Sequence, residues 1–162
     1  MNYLELFQRL EEQQIKYLIC GGLAMNLHGI PRMTADIDLL IEFSSKNLSA
    51  LSDVLAGIGY QKSIPIELES LKDFEYREKL YLEKDLIAFS FFNPSNNTMA
   101  IDLLVKTPKP FAEYWENKIV RKAENHQLYL ISVDDLLEMK TFANRAQDRS
   151  DVKSLLKLIK NG

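Results

Sequence analysis

The sequence predicts an α+β fold: a mixed β-sheet flanked by helices and closed by a C-terminal helical hairpin. Three observations predict it. Short apolar, β-rich runs recur at 16–20, 35–42, 86–92 and 99–105, separated by stretches of helical periodicity. The last two runs are joined by N-P-S-N-N-T, a turn signal that implies an antiparallel hairpin. Finally, two amphipathic stretches close the chain.

Taken in order, residues 3–14 carry Leu4, Phe7 and Leu10 at helical spacing and form a first amphipathic helix. K-Y-L-I-C at 16–20 is a short apolar strand that Gly21 and Gly22 interrupt. A-M-N-L-H-G, 24–29, has room for about two helical turns before Gly29 and Pro31 end them. Residues 35–42 form the next strand. Ser44 or Ser45 caps a helix running to about residue 57, with Leu48, Leu51, Val54 and Leu55 as its apolar stripe. Residues 60–66 contain Pro65, which restricts them to a sheet edge. Residues 68–80 have a helical cast, and 110–117 form a short helix with Pro110 at its start. Two short strands follow, K-I-V-R-K-A and Q-L-Y-L-I-S. Ser132 opens a helix to about Arg145, and 148–160 supply the last one, with Val152, Leu155, Leu156 and Ile159 apolar. The expected organisation is a core domain over 1–131 and a helical tail over 132–162 packed on it.

Composition narrows the function classes. The 162 residues are 46% hydrophobic and 27% charged, ordinary for a globular domain, and a net charge of −3 gives no global pull toward nucleic acid. No apolar run approaches the ~20 residues of a membrane span. The N-terminus lacks the basic and apolar regions of a signal peptide, and the single cysteine, Cys20, sits in an apolar strand as a small hydrophobe. The expectation is a cytoplasmic protein with no membrane partner. No Cys/His spacing suggests zinc.

The chemistry concentrates in T-A-D-I-D-L-L-I. Side chains alternate along a strand, so Asp36 and Asp38 share one face while Ile37, Leu39 and Ile41 take the other. Neighbouring carboxylates raise each other's pKa unless a cation lies between them, and Mg²⁺ is the cation that shares oxygen ligands with substrate phosphates. Asp102, in A-I-D-L-L-V, echoes the same pattern. A carboxylate among apolar neighbours needs a partner or a metal. If its strand lies beside that of Asp36 and Asp38, the three acids converge on one rim, the arrangement that holds two metal ions for in-line phosphoryl transfer. The Gly21–Gly22 pair, between a strand and a helix, offers free backbone N–H groups to an anion at close approach.

The run G-G-L-A-M-N-L-H-G-I-P-R-M-T-A-D-I-D-L-L-I resembles the signature of the polymerase-beta-type nucleotidyltransferase superfamily. Closer still is its similarity to the small prokaryotic AbiEii-toxin-like members, in which H-G-x-x-R-x-T precedes the D-x-D and a helical tail reads D-L-L-x-x-K, then R, then D-x-x-D. Here those tail positions are Lys140, Arg145, Asp148 and Asp151. The resemblance implies transfer of a nucleoside monophosphate from an NTP to an acceptor hydroxyl. It implies two Mg²⁺ ions, or Mn²⁺, on Asp36, Asp38 and Asp102, and a nucleotide held by Gly21, Gly22, Arg32, Thr34, Lys140 and Asp148. The acceptor would be an RNA 3′ end such as that of tRNA, a protein or a small molecule, with an antitoxin-like protein as a further partner. The chain departs from many active members at Gly22, where they carry Ser. The bland readings place His28 at a helix end, Arg32 beside an acidic neighbour, Lys140 on a solvated helix surface, Arg145, Asp148 and Asp151 in intrahelical ion pairs, and Tyr76, Arg77, Lys79 and Lys84 on a wet helix face. Two rival readings stand beside the transferase: a metal-dependent glycosyltransferase, whose pattern lacks the Gly-Gly turn, and a catalytically degenerate module of a toxin–antitoxin-like system.

Overall fold

The computed structural model describes residues 3–95 and 99–162. Seven strands form one mixed sheet, and seven α-helices and one 3-10 turn accompany it among these residues. In chain order the elements are α1 (Tyr3–Glu12), β1 (Tyr17–Cys20), α2 (Gly21–Leu27), β2 (Asp36–Ile41), α3 (Ser45–Gly57), β3 (Gln61–Lys62) and the 3-10 turn (Leu68–Lys72). There follow α4 (Phe74–Lys84), β4 (Ala88–Phe92), β5 (Ala100–Leu104), α5 (Phe111–Glu116), β6 (Ile119–Ala123), β7 (His126–Leu130), α6 (Val133–Ala143) and α7 (Ala146–Asn161). The strand order is β3-β4-β5-β2-β1-β7-β6. Two of the pairings are parallel, β2 with β5 and β1 with β7, and the rest are antiparallel, so the sheet is mixed as the sequence predicts.

The core follows from the alternation in the central strands. Ile37, Leu39 and Ile41 of β2, Ile101 and Leu103 of β5, and Phe89 and Phe91 of β4 are all buried, and they pack in one cluster with Leu6, Phe7 and Leu10 of α1 and Leu48, Leu51 and Leu55 of α3. Leu136 of α6 and Leu155 of α7 belong to the same cluster. The opposite face of β4, β5 and β2 is only half covered: Ala88, Ser90, Ala100, Asp102, Leu104, Asp36 and Asp38 are all of intermediate exposure.

The edge reading of 60–66 holds in reduced form. Only Gln61 and Lys62 pair, at the outer edge against β4, and a loop carries Pro65. The helical cast of 68–80 divides into the 3-10 turn and α4, because Asp73 takes extended backbone and caps α4 through Glu75 N and Tyr76 N. The β4–β5 hairpin is antiparallel, with Ala88 opposite Leu104 and Phe91 opposite Ile101, while part of its N-P-S-N-N-T turn (96–98) lies outside the described residues. Gly21 and Gly22 differ from expectation. They do not precede the helix but form its first turn, directly after Cys20. No helix among the described residues is long and apolar enough to cross a membrane.

Candidate active site

The site lies on the half-covered face. The parallel pairing of β2 with β5 sets Asp38 opposite Asp102 and Asp36 opposite Ala100. On the other flank of β2, the antiparallel β1 sets Cys20 opposite Asp38, and β4 sets Ser90 opposite Asp102. A row Ser90–Asp102–Asp38–Cys20 therefore crosses four strands, with Asp36 one step along. The echo between D-I-D-L-L-I and A-I-D-L-L-V is thus a physical adjacency.

Electrostatics marks this row as unbalanced. Burial and then the neighbouring Asp102 push the Asp38 carboxyl up to about 6, with Asp36 adding and the cations of Lys140 and Arg145 opposing. Burial and then Asp102 also raise Asp36. Burial, followed by Asp38, raises the Cys20 thiol well above its ordinary value, which keeps it protonated and inert. None of the three carboxylates has an ion-pair or hydrogen-bond partner among the described residues. Nor are three or more such side chains gathered into a ready-made metal cage there.

Gly21 is indispensable to this geometry. Its φ of +61° lies in the left-handed region, and a Cβ there would overlap Asp38 Oδ2. The backbone of α2 therefore approaches the carboxylate as closely as it can. Gly22 faces elsewhere: a Cβ would come within 2.8 Å of Thr34 Cβ and Oγ1. Thr34 in turn donates to the backbone oxygen of Asp36 at 3.0 Å, tying the 28–35 loop to the start of β2.

The remaining expected nucleotide contacts gather in a second cluster on α6 and α7. The Lys140 ammonium is 3.2 Å from Asp148 Oδ1 and 2.9 Å from Asp151 Oδ2, and all three residues are buried. Arg32 Nε donates to both oxygens of Asp151, at 3.0 and 3.1 Å, and Arg32 Nη1 donates to Met33 O. Arg145 caps α7, with its Nε 2.7 Å from Asp148 Oδ2 and its backbone N–H bonded to the same oxygen. Burial alone would raise Asp148 and Asp151. Hydrogen bonds from Arg145 and Lys140 to the first, and from Lys140 and Arg32 to the second, outweigh it and hold both carboxyls below the usual range. Here Arg32, Lys140 and Asp148 thus engage one another's cluster rather than an open anion site. Arg145 and Lys140 still reach the first row as fields, since both lower Asp38.

Two other residues fall out differently. His28, at the end of α2, contacts Ile131 O through Nε2 at 2.8 Å, the helix-end role that its position predicts. Arg77 is not on a wet face. Its guanidinium carbon sits 4.1 Å from the centre of the Phe43 ring and 5.5 Å from that of Phe74, and Nη1 donates to Leu71 O and Lys72 O. Helical periodicity around Arg77 could not show this, because Phe43 belongs to the segment after β2. Phe43 was the available signal: a large aromatic left just past the Asp-bearing strand with no helix or strand to bury it.

Three carboxylates on adjacent strands beside a Gly-led helix, on a mixed sheet of this order, define a nucleotidyltransferase fold. The chain belongs to the family described as "Nucleotidyltransferase of unknown function (DUF6036)", which matches residues 2–160. No curated protein matches it. Solved structures share the fold at low identity. The lincosamide antibiotic adenylyltransferase LnuA, in its lincomycin-bound form, is 13% identical with a TM-score of 0.63, the match covering 96% of this chain and 95% of that one. ANT(2″)-Ia, in complex with adenylyl-2″-tobramycin, is 12% identical with a TM-score of 0.58, covering 94% and 84%. An antigenic nucleotidyltransferase-like protein from Paracoccidioides brasiliensis is 17% identical with a TM-score of 0.58, covering 98% and 73%.

Proposed function

We propose that the chain transfers a nucleoside monophosphate from an NTP to an acceptor hydroxyl. The observation that carries this reading is the pairing of Asp38 with Asp102 across parallel strands, with Gly21 pressed against Asp38. The acceptor oxygen bonds to the α-phosphorus, the bond from that phosphorus to the β-phosphate bridge breaks, and pyrophosphate leaves. Asp36, Asp38 and Asp102 would hold two Mg²⁺ ions, or Mn²⁺, which would supply charge neutralisation on the phosphates and a lowered pKa at the acceptor hydroxyl. Asp102 would complete the metal site and help lower the pKa of the acceptor hydroxyl, and Gly21 and Gly22 would bring backbone N–H groups to the β- and γ-phosphates. Thr34 fixes the loop behind Gly22. Lys140 and Arg32 act as neutralising charge behind the site. Arg32 meets Asp151 through Nε and Met33 O through Nη1, which leaves its Nη2 donors for a phosphate, whereas Lys140 is shared between Asp148 and Asp151. Catalysis is then chiefly positioning and electrostatic stabilisation.

The acceptor is an RNA 3′ end, a protein or a small molecule. Lincomycin bound to one structural neighbour and adenylyl-2″-tobramycin to another support the small molecule. The tail motif supports placement beside the AbiEii-like members, with an antitoxin-like protein as partner, and the single cysteine supports a cytoplasmic location. The degenerate-module reading draws on the lack of a ready-made metal cage among the described residues.

Calorimetry with ATP, GTP, CTP and UTP tests the reading, with Mg²⁺ and with EDTA. Binding that needs the divalent cation is expected, and equal binding in EDTA sinks the metal role. Incubation with α-labelled NTPs, Mg²⁺ or Mn²⁺, total RNA and lysate then shows where the label goes. Metal-dependent binding with no labelled product would favour the degenerate module.

A further inference from the structure

A cleft of about 590 Å³ lies at the C-terminal ends of the parallel strands β2 and β5. Leu40 and Leu104 form part of its wall. They are also the next residues along from Asp38 and Asp102 on the same sheet face, about 7 Å away by strand rise. The rest of the wall is largely apolar, with Phe43, Phe74, Pro108 and Phe111 among it.

The charges in that wall are almost all neutralised internally. Glu42 is paired with Lys16 at 3.2 Å, Lys106 with Glu78 at 2.8 Å, and Lys109 with Asp135 at 2.6 Å. Arg77 is the exception: it has no ion pair among the described residues. Its Nη1 is spent on the carbonyls of Leu71 and Lys72, and the Phe43 and Phe74 rings hold its plane. The Nε and Nη2 hydrogens have no protein acceptor there. Those two nitrogens form the edge that meets a carboxylate with two parallel hydrogen bonds. Half-burial has already removed part of the guanidinium's own hydration, so less of it is lost when an anion arrives, and two charge-assisted hydrogen bonds offset the dehydration of the anion. Asp73 and Glu78 act on its charge at longer range without pairing with it. A clamped guanidinium with no ion pair, in an aromatic-walled cleft of small-molecule size, is a recognition element.

We propose that this cleft binds a small organic carboxylate with a planar apolar body, the carboxylate on the Nε–Nη2 edge of Arg77 and the body between Phe43, Phe74 and Phe111. The site stands whether or not the chain transfers nucleotides. If it does, the ligand lies beside the Asp38–Asp102 row.

The test is an NMR titration of the full chain with indole-3-acetate and its neutral isostere indole-3-acetamide. Amide shifts are expected at Phe43, Phe74, Arg77 and 104–111, with the carboxylate binding at least about tenfold more tightly. Arg77→Gln should erase that preference, and Phe74→Leu, at a side chain already 64% exposed, should weaken both ligands alike. Should Arg77→Gln fail to fold, the comparison of the two ligands on the unaltered chain still decides. Asp38→Asn should bind the carboxylate no more weakly, which separates this site from the transferase reading. Equal affinity for the two ligands, or shifts confined to residues away from the cleft, overturns the proposal.

Discussion

The molecule contains two charged clusters within each other's electrostatic reach, built on opposite principles. In the row on β2 and β5, three carboxylates meet with no cation in contact, and Asp38 is pushed up to about 6. In the cluster on α6 and α7, two carboxylates meet Lys140, Arg145 and Arg32, and both are held below the usual range. Burial acts the same way on both, penalising charge. The difference is whether the protein supplies the counterion itself. The tail cluster is internally complete and does structural work. The strand row is left short of positive charge, so Asp36 and Asp38 hold their protons more tightly than free carboxylates do.

That contrast sets opposite pH slopes. Asp38 binds its proton more tightly folded than unfolded, so its contribution to stability is full in acid and falls away as pH rises from about 3.8 through about 6. Asp148 and Asp151 bind theirs less tightly folded, so their contribution is present above the ordinary carboxylate range and is lost as pH falls through their lowered values.

The largest effect should come from breaking the complete cluster. Lys140→Met leaves two buried carboxylates facing each other and should cost roughly 3–5 kcal/mol in urea unfolding at pH 7. A loss below about 1 kcal/mol would mean that Arg32 and Arg145 suffice, and the cluster is less integrated than its geometry suggests. Asp38→Asn should do the reverse. With the metal absent it should stabilise the protein by roughly 1–3 kcal/mol at pH 8, with the gain vanishing near pH 4, while abolishing metal-dependent NTP binding. If Asp38→Asn instead melts several degrees lower without metal, the row is structural and the transferase reading is lost.

Gly21→Ala probes the close approach at the first row. Its positive φ alone should cost roughly 1–2 kcal/mol, and displacement of Asp38 should weaken NTP binding as well. Unchanged binding in a folded variant would show that the contact does not set the carboxylate. The smallest change belongs to a residue that contacts one cluster and acts on the other through its charge. Arg145 is 77% exposed, so Arg145→Gln should cost less than about 1 kcal/mol in stability. Its charge opposes the rise at Asp38, so the same substitution should move the Asp38 titration upward, readable by carboxyl ¹³C NMR. No movement there would separate the clusters electrostatically.

How much of this was legible in the sequence depends on the range of the signal. Asp36 and Asp38 on one face, the β4–β5 hairpin and the stripes of α1 and α3 are local patterns with fixed periods, and they stand where periodicity puts them. The stripe expected on α7 does not: only Leu155 of it is buried, Leu156 and Ile159 are exposed, and the helix instead buries Asp148 and Asp151 against Lys140. Asp102 was legible only because its strand repeats the neighbours of Asp38. The pairing of Arg32 with Asp151 was not legible, since no local period relates a loop to a helix that far along the chain. The tail positions of Lys140 and Asp148 suggested a nucleotide, but spacing alone could not show that each is the other's partner. Gly21 and Gly22 were misplaced by a few residues because glycine is a poor helix former, yet here the left-handed φ at Gly21 turns the chain straight from β1 into α2.

The parallel pairing of β2 with β5 has one more consequence, for inheritance of the site through mutation. Strand alternation has a period of two, so a single-residue insertion just before Ile101 would turn Asp102 inward among Ile37, Leu39 and Phe89 and bring Ile101 out to face Asp38. The acid would be lost from the row and a charge forced into the oil in the same event. A lineage of this chain can therefore discard the site by substitution, one carboxylate at a time, but not by sliding the strands. Any descendant that still folds with this register still carries position 102 beside position 38.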